Sequence, residues 1–553
     1  MYQSFRRRDF LKIASFTVGS VAVGNLLAAC GENISQVAVS TSSLPAATPT
    51  TIAAVPTTLP AVTATPDTAT TAIAAITPLK PTTVDPLSSP PAVTAATSAV
   101  LTKFPTGFLW GSATSSYQIE GATKEDGRGL SIWDTFCEQP GKVRNGDTGD
   151  VACDHYHRYE QDLDLLKTLD FQNYRFSVAW PRILPNGSGQ VNQKGLDFYK
   201  RLVEGLLKRN IRPMVTLYHW DLPQALQDRG GWLNRDTAKY FAEYADVLFQ
   251  ALGPSVPQWI THNEPWVVAY VGHAWGSHAP GLQSWSKAIE VTHTLLLSHG
   301  LAVQAFRAAN LQAQVGITLN LTQAYPATKS AEDKAAAARI DGFQNRWFLD
   351  PLLKGGAYPA DMQIYYEKKY GPMDYIQAQD QKIIGTAIDF LGINYYSPAY
   401  VAANPRSSYF ETEGISGHNP VTAMGWEIVP QSLYDLLVQL KQSYADIPLY
   451  VTENGAAFVD SLVDSQINDG QRLKYLYQHI ASVQRAIAAG VNLKGYFAWS
   501  LMDNFEWAEG YTKRFGLVYV DYPSQKRVPK RSALWFRDVI RQNGLAALPP
   551  DLQ

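Results

Sequence analysis

Two glutamates in this chain each close a short apolar run. Glu264 stands in Thr261-His262-Asn263-Glu264-Pro265, and Glu453 in Tyr450-Val451-Thr452-Glu453-Asn454-Gly455. A carboxylate at the end of a buried strand adds nothing to packing. One alone reads as a helix cap or half of an ion pair; two on strands that face each other across a mouth can do chemistry. Cleaving a glycosidic bond needs a proton for the leaving oxygen and a partner for the oxocarbenium charge, and a carboxyl pair supplies both. A separation of about 5–5.5 Å gives a covalent intermediate and retention, whereas about 6.5–9.5 Å admits a water and gives inversion. The two roles require different pKa values, set by different surroundings. A carboxylate beside an arginine such as Arg175 stays ionised, and one in a more apolar setting keeps its proton. Such chemistry calls for no metal and no organic cofactor.

Something must bring the two glutamates together. From Phe104 onward, short apolar runs alternate with helical periodicity. Strands are expected at Phe108–Thr114, Asn173–Trp180, Arg212–Trp220, Gln258–Glu264, Gln314–Leu321, Ile388–Tyr396, Pro448–Glu453 and Leu493–Leu501. Between them, Leu196, Tyr199, Leu202, Val203, Leu206 and Leu207, and later Leu433, Leu436, Leu437 and Leu440, recur at helical spacing. Strands separated by helices predict an α/β fold: a single (β/α)8 TIM barrel over residues 103–545, with a short tail at 546–553. In such barrels the active site forms where strands end and βα loops begin. Polar residues cluster at those ends: Gln118, Arg175, His219 and Trp220, Asn263 and Glu264, Asn320, Asn394 and Tyr396, Glu453 and Trp499. Asn394 and Tyr396 share parity on one strand, so both can face the site.

The stretch Phe104-Pro105-Thr106-Gly107-Phe108-Leu109-Trp110-Gly111-Ser112-Ala113-Thr114-Ser115-Ser116-Tyr117-Gln118-Ile119-Glu120-Gly121 closely resembles the N-terminal signature of family 1 glycoside hydrolases, the β-glucosidases. Asn263-Glu264-Pro265 resembles the acid/base motif of that family, and Tyr450 to Gly455 its nucleophile motif. The resemblance runs in order over residues 103–541. It implies a retaining mechanism with Glu264 as general acid/base and Glu453 as nucleophile. Arg175 and Tyr396 would touch Glu453, with Asn320 and Asn394 in support. Asn263 would hold the sugar 2-hydroxyl. Gln118, His219, Trp220, Glu506 and Trp507 would bind the rest of the non-reducing sugar, and Trp499 would be its stacking platform. Family members carry a cis bond at the position of Trp499–Ser500. Trp266 and Trp426 would flank the leaving group.

Each weaker member has a plainer reading. His219 could be a satisfied structural histidine; its neighbours Trp220-Asp221-Leu222-Pro223 match the third-strand pattern of the family and favour sugar contact. Trp266, Trp426 and Trp499 could be core aromatics, although Trp499 lies in a further family match, Trp499 to Trp507. His262 departs from the family, where an apolar residue usually precedes Asn-Glu-Pro. It either fills a packing position or approaches Glu264 and shifts the acid's pKa. Glu506 would repel a 6-phosphate, so unphosphorylated sugars are expected.

The formal net charge of −2, with 17% charged residues, offers no basic field to draw nucleic acid. Fourteen Trp and 29 Tyr suit sugar stacking but also simply fill cores. Cys137 and Cys153 are either a pair formed after export or two separate buried thiols; with Cys30 they make no zinc set at finger spacing.

The N-terminus reads as an address. Arg7-Arg8-Asp9-Phe10-Leu11-Lys12 resembles the bacterial twin-arginine signal, and an uncharged run from Ile13 ends at Leu27-Ala28-Ala29-Cys30, which resembles a lipoprotein box. The resemblance implies a signal over residues 1–30, lipidation of Cys30 and an exported protein touching the membrane only through that lipid; the alternative is a plain cleaved signal. Residues 31–102 are rich in Thr, Ala and Pro, and from Asn33 onward their charges are only Asp67, Lys80 and Asp85, which predicts a disordered linker. The expected protein is an exo-β-glucosidase acting on small oligosaccharides or glucosides. The alternatives are a broad β-galactosidase/β-fucosidase of the same family and a catalytically silent sugar-binding lipoprotein. No feature sets an oligomeric state.

Overall fold

The structure, a computed structural model, describes residues 103–553. The expected signal, Cys30 and the linker lie outside the described residues. Eight parallel strands close into a barrel: β1 (Leu109–Ala113), β2 (Asn173–Ser177), β3 (Arg212–Tyr218), β4 (Gln258–Asn263), β5 (Gln314–Asn320), β6 (Phe390–Asn394), β7 (Leu449–Asn454) and β8 (Leu493–Trp499). Each pairs with its neighbours in the chain, and β8 pairs back to β1. All eight expected strands are present. The largest difference at any one end is at β2, which stops at Ser177, because Trp180–Ile183 with Pro181 in its first turn is already helical.

The strands are apolar on both faces because both faces are covered. β2, β6 and β7 are buried at every position. Inside the barrel, Met214, Ile260, Phe390, Tyr450 and Phe497, from five different strands, pack into one apolar plug. Outside lie α1 (His155–Thr168), α2 (Gln193–Lys208), α3 (Asp236–Leu252), α4 (Trp285–Ala308), α5 (Trp347–Leu353), α6 (Pro430–Ser443), α7 (Gly470–Ala488) and α8 (Arg531–Gln542). In α2 the expected stripe is buried from Leu196 to Leu206, but Leu207 falls off it and is exposed.

Two local features matter for the site. In β4, Ile260 pairs with Gly316 and Asn263 with Thr318, so two residues of β4 face one of β5. This β-bulge sends Thr261 and His262 together to the outside, where they bond to His299 and Ser298 of α4. The loops after β5 and β6 contribute a small sheet of Ala324–Pro326, Ala399–Ala403 and Thr412–Ile415, which lies on the side where the barrel strands end. The tail after residue 545 is tied to α8: Trp535 Nε1 donates to the Ala547 carbonyl and Arg531 pairs with Asp551. Cys137 and Cys153 are separate buried thiols.

Candidate active site

At the C-terminal end of the barrel lies a cavity open to solvent at its mouth, about 940 Å³ when the open solvent at the mouth is included. Glu264 and Glu453 both line it. Glu264 is the first residue after β4. It takes a left-handed backbone, φ +48°, and its N–H donates to the Thr318 carbonyl of β5. Trp220, after β3, and Trp507, after β8, also line the cavity with positive φ, +79° and +50°. Side chains other than glycine pay on the order of 1–3 kcal/mol for sparsely populated backbone of this kind. The surrounding packing therefore dictates where these three side chains point.

Glu453 lies on β7, facing inward. Arg175 Nη1 donates to its Oε1 at 2.6 Å, and the Tyr396 hydroxyl donates to its Oε2 at 2.6 Å. The other donors of Arg175 are spent on the Thr452 carbonyl, Thr216 Oγ1 and, at 2.6 Å, Asn263 Oδ1. The guanidinium is 1% exposed and makes four hydrogen bonds, so it cannot swing away. Gly455 follows close behind, because a Cβ there would meet the Trp499 carbonyl oxygen at 1.7 Å.

Glu264 receives a neutral donor instead. Asn394 Nδ2 bonds its Oε1 at 2.6 Å and also reaches Asn263 Oδ1 at 3.0 Å. Burial pushes the Glu264 carboxyl up, the negative Glu453 adds to the push, and its value comes to about 8. Burial also raises Glu453, but there Arg175 and the Tyr396 hydroxyl pull the other way. The arrangement therefore favours one proton for the pair, held on Glu264.

Around the two carboxyls stands a ring of polar and aromatic groups. Asn263 Nδ2 donates to His219 Nε2 at 3.1 Å, which leaves the imidazole neutral with its Nδ1 buried and without a partner. Burial, followed by the nearby Arg175, lowers the His219 pKa well below the usual imidazole range. The His219 ring stacks at 5.9 Å on both Trp499 and Trp507, and Trp220 Nε1 ties back to the Asn263 carbonyl. Glu506 also faces the cavity; burial, then Glu453 and Glu509, raises it to about 8. Gln118 stands behind Glu506. It is fully buried, and its amide donates to Asn504 Oδ1, the Phe505 carbonyl and, at 3.5 Å, Glu506 Oε2. Asn320 lines the wall with its Oδ1 unpartnered. Trp426 lines it too and packs on Tyr396 at 5.3 Å. The Trp499–Ser500 peptide is cis.

His262 takes the packing position of its two alternatives, and two expectations need correction, those for Gln118 and Trp266. Gln118 is absent from the cavity wall, its amide being taken up by Asn504, Phe505 and Glu506. Trp266 does not line the cavity. It is 1% exposed and sits among Tyr270, Trp275 and Phe343, because the chain after Glu264-Pro265 turns at once into a π-helical segment, Val267–Trp275, that carries the indole into the core. Val267 and Val271 form the wall there instead. His262 does not approach Glu264. The bulge turns it outward against Phe241, Tyr218 and Trp232, with Nε2 bonded to Ser298 Oγ at 2.8 Å. Sequence reasoning also missed His278, Met424, Glu509 and Phe515 on the wall. For Val267 and Val271 a signal existed, a spacing of four directly after the acidic motif. The others come from irregular loops that show no period.

This geometry can be set beside known proteins. Residues 100–545 match the family described as "Glycosyl hydrolase family 1". The chain is 50% identical over 448 residues to "Beta-glucosidase A" of Acetivibrio thermocellus, covering 80% of this chain and 99% of that protein. It is 51% identical over 445 residues to "1,4-beta-D-glucan glucohydrolase" of Thermotoga neapolitana, covering 80% and 99%. Among solved structures, "Family 1 b-glucosidase from Thermotoga maritima" superposes with a TM-score of 0.79 at 49% identity, over 81% of this chain and all of that one. The chain belongs to glycosyl hydrolase family 1.

Proposed function

We propose that this enzyme is a retaining exo-β-glucosidase that releases terminal non-reducing glucose from unphosphorylated glucosides. The observation that carries the reading is the asymmetry of donors at two carboxyls in one cavity: a guanidinium and a phenol at Glu453, a neutral amide at Glu264. Glu453 attacks the anomeric carbon while Glu264 protonates the leaving oxygen. Glu264 then takes a proton from water, which displaces Glu453. Asn263, His219, Glu506 and Trp507 hold the sugar hydroxyls, with Gln118 bonded behind Glu506 to position it, Trp220 and Trp499 supply ring faces, and Asn320 and Trp426 meet the leaving group. Proton NMR during hydrolysis of p-nitrophenyl β-glucoside tests this: the β-anomer should appear first. First release of the α-anomer would overturn retention, and no turnover would favour the silent sugar-binding alternative.

The expectation of unphosphorylated substrates rests on Glu506 at the cavity: protonated, it offers no cation to a phosphate dianion, and ionised, it repels one. Equal cleavage of plain and 6-phosphorylated aryl glucosides would refute it. We further propose that the protein is exported and tethered through lipidated Cys30. Labelled palmitate should enter the wild type and not Cys30→Ala, and the variant should leave the membrane fraction.

A further inference from the structure

Behind the loops that follow β7 and β8 lies a buried ionic network outside the substrate cavity. Its carboxylates are Asp460, Asp469 and Asp503, and its cations are Arg472, Arg514 and Lys530. Lys530, at the start of α8, has no exposed side-chain surface, and its Nζ donates at 2.6 Å to both Asp460 Oδ2 and Asp503 Oδ1. Asp460 belongs to the chain leaving Glu453, and Asp503 to the chain leading into Glu506. Arg472 grips the first side further. Its guanidinium bonds Asp460 and Asp469 and donates to the carbonyls of Ala456 and Arg514. Arg514 and the Gly516 N–H complete the shell of Asp503.

One residue beyond Asp503, Asn504 accepts from Gln118, whose amide also holds the Phe505 carbonyl and reaches Glu506. A continuous set of bonds thus runs from the chain that follows the nucleophile strand through Lys530 to the loop that carries Glu506. A buried ion pair is weak evidence for stability, because desolvation offsets much of its attraction. Loop placement is then the role that needs explaining, and an ammonium shared by two carboxylates does what an apolar side chain cannot: it fixes the separation of the two chains that carry them.

We propose that Lys530 is a positioning residue for the glycosidase reaction, holding Glu506 in register with Glu453 by bridging Asp460 and Asp503. This rests on the reading of Glu453 and Glu506 given above, which the single variants Glu453→Gly and Glu506→Gln test separately from Lys530. The test is a double-mutant cycle. Lys530→Met should lower kcat/KM at least tenfold, chiefly through KM, with active-site titration counting only competent enzyme. In a Glu506→Gln background the same change should cost less than twofold, since the group it positions is already compromised. A purely structural role would lower melting temperature and active fraction but give the same fold-loss in both backgrounds, and that result would overturn the proposal. Asp460→Asn, which keeps Lys530 with Asp503 but loosens the Glu453 side, repeats the cycle with a milder change and the same expected non-additivity. Failure of both variants to fold would mark the network as a stability device and also overturn it.

Discussion

Arg175 Nη1 lies 2.6 Å from Glu453 Oε1, and the cation is locked there by its other bonds. Such a guanidinium favours the ionised form of the carboxylate and aims it, as a nucleophile requires. Replacing it by Glu453→Gly should reduce kcat by about 10⁴-fold or more, the scale seen when a nucleophile is removed. Azide can then enter the vacated space and attack from the same face, giving an α-glucosyl azide. The product's anomeric coupling constant checks it, and a β-azide would contradict the assignment.

On the proposed mechanism, activity requires Glu453 ionised and Glu264 protonated. Glu264 sits at about 8, raised by burial and then by Glu453. As pH rises through that value the acid loses its proton, so kcat/KM should fall on the basic side with a midpoint near 8. Glu264→Gln measured on 2,4-dinitrophenyl β-glucoside, whose leaving group needs no proton, should show no such limb. Persistence of the limb in that variant would place it on another group.

The same shift has a consequence for stability. Glu264 ionises near 4.5 when unfolded and near 8 when folded. Below 4.5 it is protonated in both states and has no effect. Between the two values the unfolded chain releases the proton first, so stability falls as pH rises through this window. Glu264→Gln removes that drain. The variant should gain melting temperature over the wild type at pH 8 and little at pH 4; thermal scans at the two pH values check the difference.

Much of this was legible in the sequence, for definite reasons. Apolar runs such as Leu449-Tyr450-Val451 are continuous because both faces are buried, and polar residues at their ends stand out against that background. Glu264, Asn394 and Glu453 are visible in this way. What was not legible depends on irregular backbone. The β4 bulge is a register shift against β5 that no local pattern announces. The π-helical turn that hides Trp266 follows an acidic motif whose residue types alone suggest a sugar-facing indole. Met424 and Phe515 reach the wall from loops whose paths are set by tertiary contacts rather than by periodicity.

His262 separates adjacency in sequence from adjacency in space. It is one residue from Asn263, yet its ring lies 4.4 Å from that of Phe241 on the far side of the strand. His262→Phe should leave the pH–rate profile superimposable on the wild type and kcat/KM within about twofold. The ring it replaces is already surrounded by aromatics, and the lost bond to Ser298 is worth roughly 1 kcal/mol. A shifted basic limb would show that His262 does reach Glu264 electrostatically.

Trp266 and Trp426 should fail in opposite ways. Trp266 is packed against three aromatic rings and absent from the cavity wall, so Trp266→Ala opens a void in the core and should cost about 3–5 kcal/mol of stability. Trp426 lines the cavity and is partly exposed, so on the proposed reading Trp426→Ala loses contact with the leaving group while the barrel core is untouched. Its melting temperature should barely move, whereas KM for aryl glucosides should rise by about tenfold, the worth of roughly 1.4 kcal/mol of ring contact. Denaturation and steady-state kinetics on both variants check the contrast. If Trp266→Ala were as stable as the wild type and raised KM instead, the indole would have to turn toward the sugar once substrate is bound, and Val267 and Val271 would lose their place as the wall beside Glu264.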